Sequence, residues 1–379
     1  MKTVIAIDSF KGSLSSLQAG EAVRAGILRA NREALVQVRP LADGGEGTVE
    51  ALTLGMGGRL QTVSVTGPLG LPVKARYGIL GDGVTAIVEM SAAAGITLVP
   101  AAERDPLRTT TYGVGELLRD AIARGCRRFI VGIGGSATND GGIGMLQALG
   151  YGLLNAAGEP VAFGARGLEE LCTITVDRVI PELKDCSFRI ACDVTNPLCG
   201  ETGASAVFGP QKGATPAMIR QMDAWLERYA ALAREINPQA DRTAPGTGAA
   251  GGLGFAFLCF TDAVLESGVR IVLEETRLEE AIKDADLVVT GEGRLDGQTV
   301  MGKAPIGVAR LAKRYGKPVV AFAGSVTADA AACNAHGIDA FFPILRSVVT
   351  LPEAMEPANA YRNLADTAEQ AFRLLAIQL

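Results

Sequence analysis

Four times in this chain an apolar run ends in a turn that carries glycine and acidic residues, and a helix-like segment follows. The stretches are "DSFKGSLSS" (Asp8–Ser16), "PLADGGEGT" (Pro40–Thr48), "VGIGGSATNDGG" (Val131–Gly142) and "VVTGEGRLDGQT" (Val288–Thr299). Strand, turn and helix in that order form the repeating unit of a parallel α/β sheet. In such sheets ligands bind outside the carboxyl ends of the strands. The layout therefore constrains the fold and the place of a site together, and it predicts loops that converge on one cleft.

The rest of the chain keeps the same rhythm. Strand-like runs at Val4–Ile7, Leu35–Arg39, Phe129–Ile133, Phe188–Cys192, Leu287–Thr290, Val319–Ala323 and Ala340–Pro343 alternate with helix-like segments. The helical periodicity is clearest over Leu14–Ala30, Gly113–Arg124, Ala217–Ile236, Gly302–Arg314 and Tyr361–Gln378. Within Ala217–Ile236, Met218, Met222, Trp225, Tyr229 and Leu232 recur at three- and four-residue spacing, which reads as a core stripe. Only Arg59–Met90 departs, alternating apolar and polar residues around Gly-Pro-Leu-Gly and Gly-Asp-Gly turns, the pattern of an antiparallel hairpin or meander. At 379 residues the chain exceeds what one core usually serves. A βαβ domain over residues 1–60 and 261–379, interrupted by a smaller mixed α/β domain over 61–260, fits these patterns better than two tandem domains.

Composition narrows the function. A net charge of −5, with scattered basic residues, argues against a nucleic-acid partner. The first residues lack a signal-peptide pattern, and the longest apolar stretch, Gly246–Thr261, is too short to span a bilayer, so a cytoplasmic protein with no membrane partner is expected. The seven cysteines form no C-x-x-C pair and read as small buried side chains in a reducing compartment. His336 is the only histidine, which removes Ser-His-Asp chemistry and leaves carboxylates, lysines and tyrosines for proton transfer.

The loops carry chemistry suited to an anion. Gly134, Gly135 and Ser136 let backbone N–H groups approach one closely, with a helix N-terminus expected just after. Asn139 and Asp140 can hold a hydroxyl or a solvated Mg²⁺. Asp43, Glu46, Glu292 and Asp296 are read as carboxylates on short loops, and Arg294 suits a carboxylate or phosphate. Anion cradles beside clustered carboxylates fit phosphoryl transfer, where positioning and Mg²⁺ do most of the catalysis. Other readings stand beside these. Lys11 is either a surface lysine or an anion ligand, and Ser13 and Ser15 are both good helix caps. Asp193, at the end of "FRIACDVTNPL", is either a general base or an Asx-turn, and "GTGAAGGLGFAF" (Gly246–Phe257) is either an anion-facing loop or tight helix packing. Lys212 in "FGPQKGAT" is an isolated base. Neither G-x-G-x-x-G nor G-x-x-x-x-G-K-[ST] occurs in full, since Ala137 stands where the third glycine belongs.

Taken together, "DSFKGSLSS", "PLADGGEGT", "GIGGSATNDGG", "DVTNPLCG", "FGPQKGAT", "GAAGGLGFA" and "TGEGRLDGQT" resemble the bacterial glycerate kinase family, of the glycerate 2-kinase type. The resemblance implies a Rossmann-like domain interrupted by a second α/β domain, with the active-site cleft between them. It implies ATP and Mg²⁺ as cofactors, D-glycerate as substrate, 2-phosphoglycerate as product, and a place in glyoxylate or aldarate breakdown. On that basis Asp193, Lys11 and Arg294 are expected to be catalytic. Asp8, Ser9, Ser13, Asp43, Gly44, Gly45, Glu46, Gly134, Gly135, Ser136, Asn139, Asp140, Asn196, Lys212, Gly291 and Glu292 are expected to bind substrate or phosphate, and Asp296 and Asp43 the metal. A homodimer stays open as the assembly. Three alternatives remain: a kinase giving 3-phosphoglycerate, a non-catalytic sensor of small hydroxy acids, and a Rossmann oxidoreductase. A sensor would not need so many carboxylates around an anion cradle, and the incomplete dinucleotide fingerprint speaks against the oxidoreductase.

Overall fold

Apolar, largely β-branched runs at both ends of the chain form one parallel sheet, and a long insertion forms another. The computed structural model describes residues 1–42, 45 and 47–377. The chain opens with β1 (Lys2–Ile7), buried from Thr3 onward, and crosses through the helix Ser16–Ala30 to β2 (Leu35–Pro40). It then makes β3 (Arg59–Thr66), β4 (Pro72–Ile79), β5 (Thr85–Glu89), β6 (Arg128–Gly132), β7 (Gly152–Leu154), β8 (Thr173–Thr175), β9 (Ser187–Ala191) and β10 (Asp262–Glu266). It ends with β11 (Leu287–Leu295), β12 (Val319–Val326) and β13 (Ala340–Pro343).

Two compact units result. The first comprises Met1–Asp43, Leu54–Met56 and Val269–Leu379, and the inserted unit comprises Gly44–Thr53 and Gly57–Gly268. The inserted unit is the longer one, whereas the sequence pattern suggested a smaller domain. Besides its main sheet it carries the β7/β8 pair and the 21-residue helix Pro216–Ile236.

The sheet of the first unit has the order β13-β12-β11-β1-β2 and is parallel throughout. Strands covered on both faces read as near-continuous apolar runs, which is why these were visible in the sequence. Ile5, Ile7, Val289 and Phe322 pack with Val23 and Ile27 of the helix Ser16–Ala30 and with Leu364 and Phe372 of the helix Pro357–Leu375. The two helices meet at Gly26, where an added Cβ would stand 2.1 Å from the Ala365 carbonyl oxygen.

One expectation fails here. The glycines and acids after Thr290 read as a turn, yet β11 continues through them to Leu295, with Glu292 opposite Ala323 and Arg294 opposite Ser325 of β12. Gly291 makes this possible, because its φ is +151° and a Cβ would lie 1.9 Å from the Phe322 carbonyl oxygen. A glycine inside a strand marks close backbone approach as readily as a turn. Glu292 is therefore a strand residue, not a loop carboxylate.

The main sheet of the inserted unit has the order β10-β9-β6-β5-β4-β3. The stretch β3–β4–β5 is antiparallel, as its alternation predicts, with turns at Gly70 (φ +78°) and Gly83 (φ +74°). The strands β5, β6, β9 and β10 are parallel. The helix Pro216–Ile236 buries Met222, Leu226 and Tyr229, with Met218, Trp225 and Leu232 partly covered beside them. Among the described residues no helix is long and apolar enough to cross a membrane.

Gly26→Val should test the helix contact. The clash is with backbone, which cannot rotate away, so a loss of roughly 1–3 kcal/mol is expected. It should appear as a lower urea midpoint with an unchanged m-value.

Candidate active site

The strand order of the first unit reverses between β1 and β11, because β1 leads outward to β2 while β11 leads outward to β12. Open α/β sheets bind ligands at such a switch point. A cavity of about 380 Å³ lies there, and its polar lining comes from Asp8, Ser9, Lys11, Ser13, Glu292, Arg294, Asp296, Lys303 and Ser325. The Asp8 N–H donates to the Gly291 carbonyl at 2.9 Å and ties the two strand tips together.

Local structure settles which serine caps the helix after the first loop. Ser15 is the cap of the helix Ser16–Ala30, in a capping box with Gln18. Ser13 does not cap; its buried hydroxyl has no hydrogen-bond partner among the described residues and it lines the cavity. Gly12 adopts φ +78° and turns the chain so that Lys11 also lines it. Asp8 is buried and accepts the Ser9 N–H at 2.6 Å.

The β11 side holds a network of matched charges. Lys303 Nζ stands 3.6 Å from Glu292 Oε2 and 3.7 Å from Asp296 Oδ1, and Arg294 Nε stands 3.5 Å from Asp296 Oδ2. The Thr299 hydroxyl donates to Glu292 Oε1 at 2.6 Å. Burial pushes the Glu292 carboxyl up, and the Thr299 hydroxyl and Lys303 oppose it. Sequence reasoning missed Thr299 and Lys303. The available signal was "GKAP" (Gly302–Pro305), a glycine and a lysine at the start of the helix Ala304–Arg314.

In the inserted unit the expected residues divide into two groups. Gly134 and Gly135 are exposed, and the N–H groups of Gly134, Gly135 and Ser136 meet no backbone acceptor among the described residues. No helix begins directly after them, contrary to expectation; the short helix Ile143–Ala148 starts only beyond Gly142. Asp193 is exposed at the tip of β9 and accepts the Gly268 N–H at 3.3 Å, while Asn196 donates to the Thr202 carbonyl at 2.8 Å.

Asn139, Asp140 and Lys212 form the second group, and all three are buried rather than presented to solvent. Asp140 accepts from the Thr111 N–H and hydroxyl, both at 2.8 Å, and from the Gly142 N–H at 3.1 Å. Asn139 Nδ2 donates to Ser205 Oγ at 2.8 Å. Lys212 Nζ donates to the Thr138 carbonyl at 2.6 Å. These residues hold the 138–142 loop from behind. The stretch Gly246–Phe257 does the same by close packing: a Cβ at Gly251 would lie 2.1 Å from the Thr138 carbonyl oxygen. Of the second acidic loop, Asp43, Gly44 and Glu46 lie outside the described residues, and the Gly45 carbonyl accepts the Thr48 hydroxyl at 2.7 Å.

With this geometry in hand, comparison with known proteins is specific. The glycerate kinase family model matches residues 3–376. A glycerate kinase of Haemophilus influenzae is 48% identical over 378 residues, covering 100% of both chains. A glycerate 2-kinase of Escherichia coli K12 is 49% identical over 377 residues, covering 100% of this chain and 98% of the other. A crystal structure from Salmonella typhimurium LT2, provisionally named glycerate kinase 2, superposes with a TM-score of 0.92 at 50% identity and covers 99% of this chain and 98% of that one.

Lys212 offers a pH test of the buried cluster. Burial pushes its ammonium from 10.5 down to about 7, with the nearby Asp140 carboxylate resisting. Between those values the unfolded chain holds the proton and the folded chain does not, so stability rises with pH over that window. Wild-type stability relative to Lys212→Met should therefore increase from pH about 7 to about 10 in urea unfolding. A flat or falling difference overturns the lowered pKa of the buried Lys212 amine.

Proposed function

The chain belongs to the glycerate kinase family, and on that premise we propose that it transfers the γ-phosphoryl group of ATP to the 2-hydroxyl of D-glycerate, giving 2-phospho-D-glycerate. The observation that carries this reading is the set of cations Lys11, Arg294 and Lys303 among Asp8, Glu292 and Asp296 at the β1/β11 switch point. Phosphoryl transfer asks little covalent chemistry of a protein and much electrostatic positioning.

The roles divide by chemistry. Lys11, Arg294 and Lys303 would neutralise phosphate oxygens, and the Ser9 and Ser13 hydroxyls would donate to them. The exposed Gly134–Ser136 backbone would cradle a second anion, such as the carboxylate of the acid substrate. Asp193, at an exposed strand tip, would orient or deprotonate the attacking hydroxyl. Asn196 would steady the loop after it. Lys212 would set the 138–142 loop rather than touch the substrate.

Among the described residues no three His, Cys, Asp or Glu side chains gather as a metal cage. Glu292 on β11 and Asp296 just after it are instead each matched by a cation or a hydroxyl. That suits Mg²⁺, which needs only one or two carboxylates and is otherwise held by water and phosphates. Asp296 would hold it, and the ion would supply charge neutralisation on the phosphate oxygens. Asp43, the other expected ligand, lies outside the described residues. A cytoplasmic role in glycerate, glyoxylate or aldarate breakdown accompanies this reading.

Purified protein with D-glycerate, ATP and Mg²⁺, followed by ³¹P and proton NMR, tests it. A phosphomonoester coupled to the C2 proton is expected; coupling to the C3 protons would keep the kinase and overturn the regiochemistry, and intact ATP would overturn both. Asp193→Asn should lower kcat about 10²–10⁴-fold, and a value within threefold of wild type removes Asp193 from catalysis. Lys11→Ala should lower kcat/KM roughly tenfold or more, as loss of a charge-assisted contact does.

A further inference from the structure

The cavity of the first unit contains more than the transfer of a phosphoryl group requires. One wall is charged and comes from the loops after β1 and along β11. The other wall is apolar and comes from later in the chain: Ile344 and Leu345 directly after β13, and Leu351, Ala354 and Met355 of the helix Leu351–Met355. This short helix is built to stay in place. Thr350 and Glu353 form a capping box at its start, and Asn359 donates to the Glu353 carbonyl at 3.0 Å. Met355 also reaches the turn that carries Lys11, where a Cβ on Gly12 would stand 3.0 Å from Met355 Cε.

The apolar wall continues onto the surface. Leu345 is 43% exposed and Leu351 is 74% exposed, with Val348 and Val349 exposed between them. Single exposed apolar side chains need no explanation, but four within one short segment at a cavity rim mark a surface that something covers. A three-carbon hydroxy acid and a triphosphate are polar throughout, so neither gains from such a wall. The base of a nucleotide does, since ligand sites pair apolar walls with a few polar anchors.

Two other cavities, both in the inserted unit, lack this pairing. The one lined by Glu116, Arg119, Asp120 and Glu182 is predominantly acidic. The one lined by Tyr151, Ile180, Ile236 and Phe260 carries only Lys184 as a cation, offset by Asp262.

We propose that the wall formed by Ile344, Leu345, Leu351, Ala354 and Met355 takes the purine ring of ATP, while the charged wall at β1 and β11 takes its phosphates. The assignment rests on the kinase reading above and identifies which part of the chain recognises the nucleotide. Its consequence is separable recognition: changing the apolar wall should alter affinity for the base without altering affinity for phosphate.

Calorimetric titration of the full chain with ADP, and separately with inorganic tripolyphosphate, tests this on Leu351→Gln, Met355→Gln and the double variant. These substitutions keep size and add no charge. The double variant should bind ADP about tenfold more weakly, the scale of a lost apolar pocket contact, with tripolyphosphate affinity unchanged. KM for ATP should rise while KM for D-glycerate stays as in wild type. Unchanged ADP binding in variants with normal thermal transitions overturns the assignment, as does an equal loss of ADP and tripolyphosphate. If Met355→Gln fails to fold, the exposed Leu351→Gln decides alone. Failure of the kinase reading is seen separately, as wild-type protein that forms no phosphoglycerate from ATP.

Discussion

The parallel pairing of β1 with β11 is the contact on which the site of the first unit depends. It sets Thr3 beside Leu287 and Ile5 beside Val289, residues from opposite ends of the chain. Neighbouring parallel strands usually send their crossover connections across one another's tips; here the two chains diverge, and the tips stay open. Buried polar contacts hold this arrangement. The Ser16 hydroxyl donates to the Ile7 carbonyl at 2.7 Å and accepts the Leu41 N–H at 3.0 Å, pinning the end of β1 to the end of β2. The Asp8 N–H pins it to β11 on the other side.

Much of this was legible because both sheets obey simple periodicities. Fully covered parallel strands write themselves as unbroken apolar runs, and the β3–β5 meander writes itself as alternation. What could not be read was the meaning of individual glycines. Gly291, Gly12 and Gly251 look alike in sequence, yet the first serves interstrand contact, the second a turn, and the third the close passage of one backbone over another. Only the long-range neighbour distinguishes them, and that neighbour is Phe322 for Gly291 and Thr138 for Gly251. Lys303 escaped notice for the same reason. Its lysine-before-helix signal is common, and its partners Glu292 and Asp296 become its neighbours only because β11 runs on past Thr290.

The electrostatics of the cavity follow from a competition between burial and pairing. Glu292 is buried, which disfavours its charged form, yet it keeps a hydroxyl donor at 2.6 Å and an ammonium at 3.6 Å. Asp296 holds two cations at 3.5 and 3.7 Å. Neither separation is a tight hydrogen bond, so the cations are close enough to offset the carboxylates and loose enough to be drawn away by a more highly charged anion. A triphosphate is such an anion.

The inserted unit solves a different problem with similar residues. Around Thr138–Gly142 the polar side chains face inward, and two loops in the left-handed conformation lie back to back: Gly141 and Gly142 on one side, Ala250, Gly251 and Gly252 on the other. The Gly141 N–H donates to the Gly251 carbonyl at 2.9 Å across them. Ala250 is the informative member, since alanine at φ +52° costs about 1–2 kcal/mol. A residue with a Cβ persists in that conformation only where its surroundings over-determine it. Here Asp140 and Lys212 supply the constraint, Asp140 through three inward hydrogen bonds and Lys212 through the Thr138 carbonyl. Burying a lysine to hold one carbonyl is costly for stability alone. It would be reasonable if Gly134, Gly135 and Ser136, further along the same loop, present their N–H groups as the proposed anion cradle. Rigid support from behind would make such a cradle selective, because each N–H would meet an anion without first losing freedom of its own.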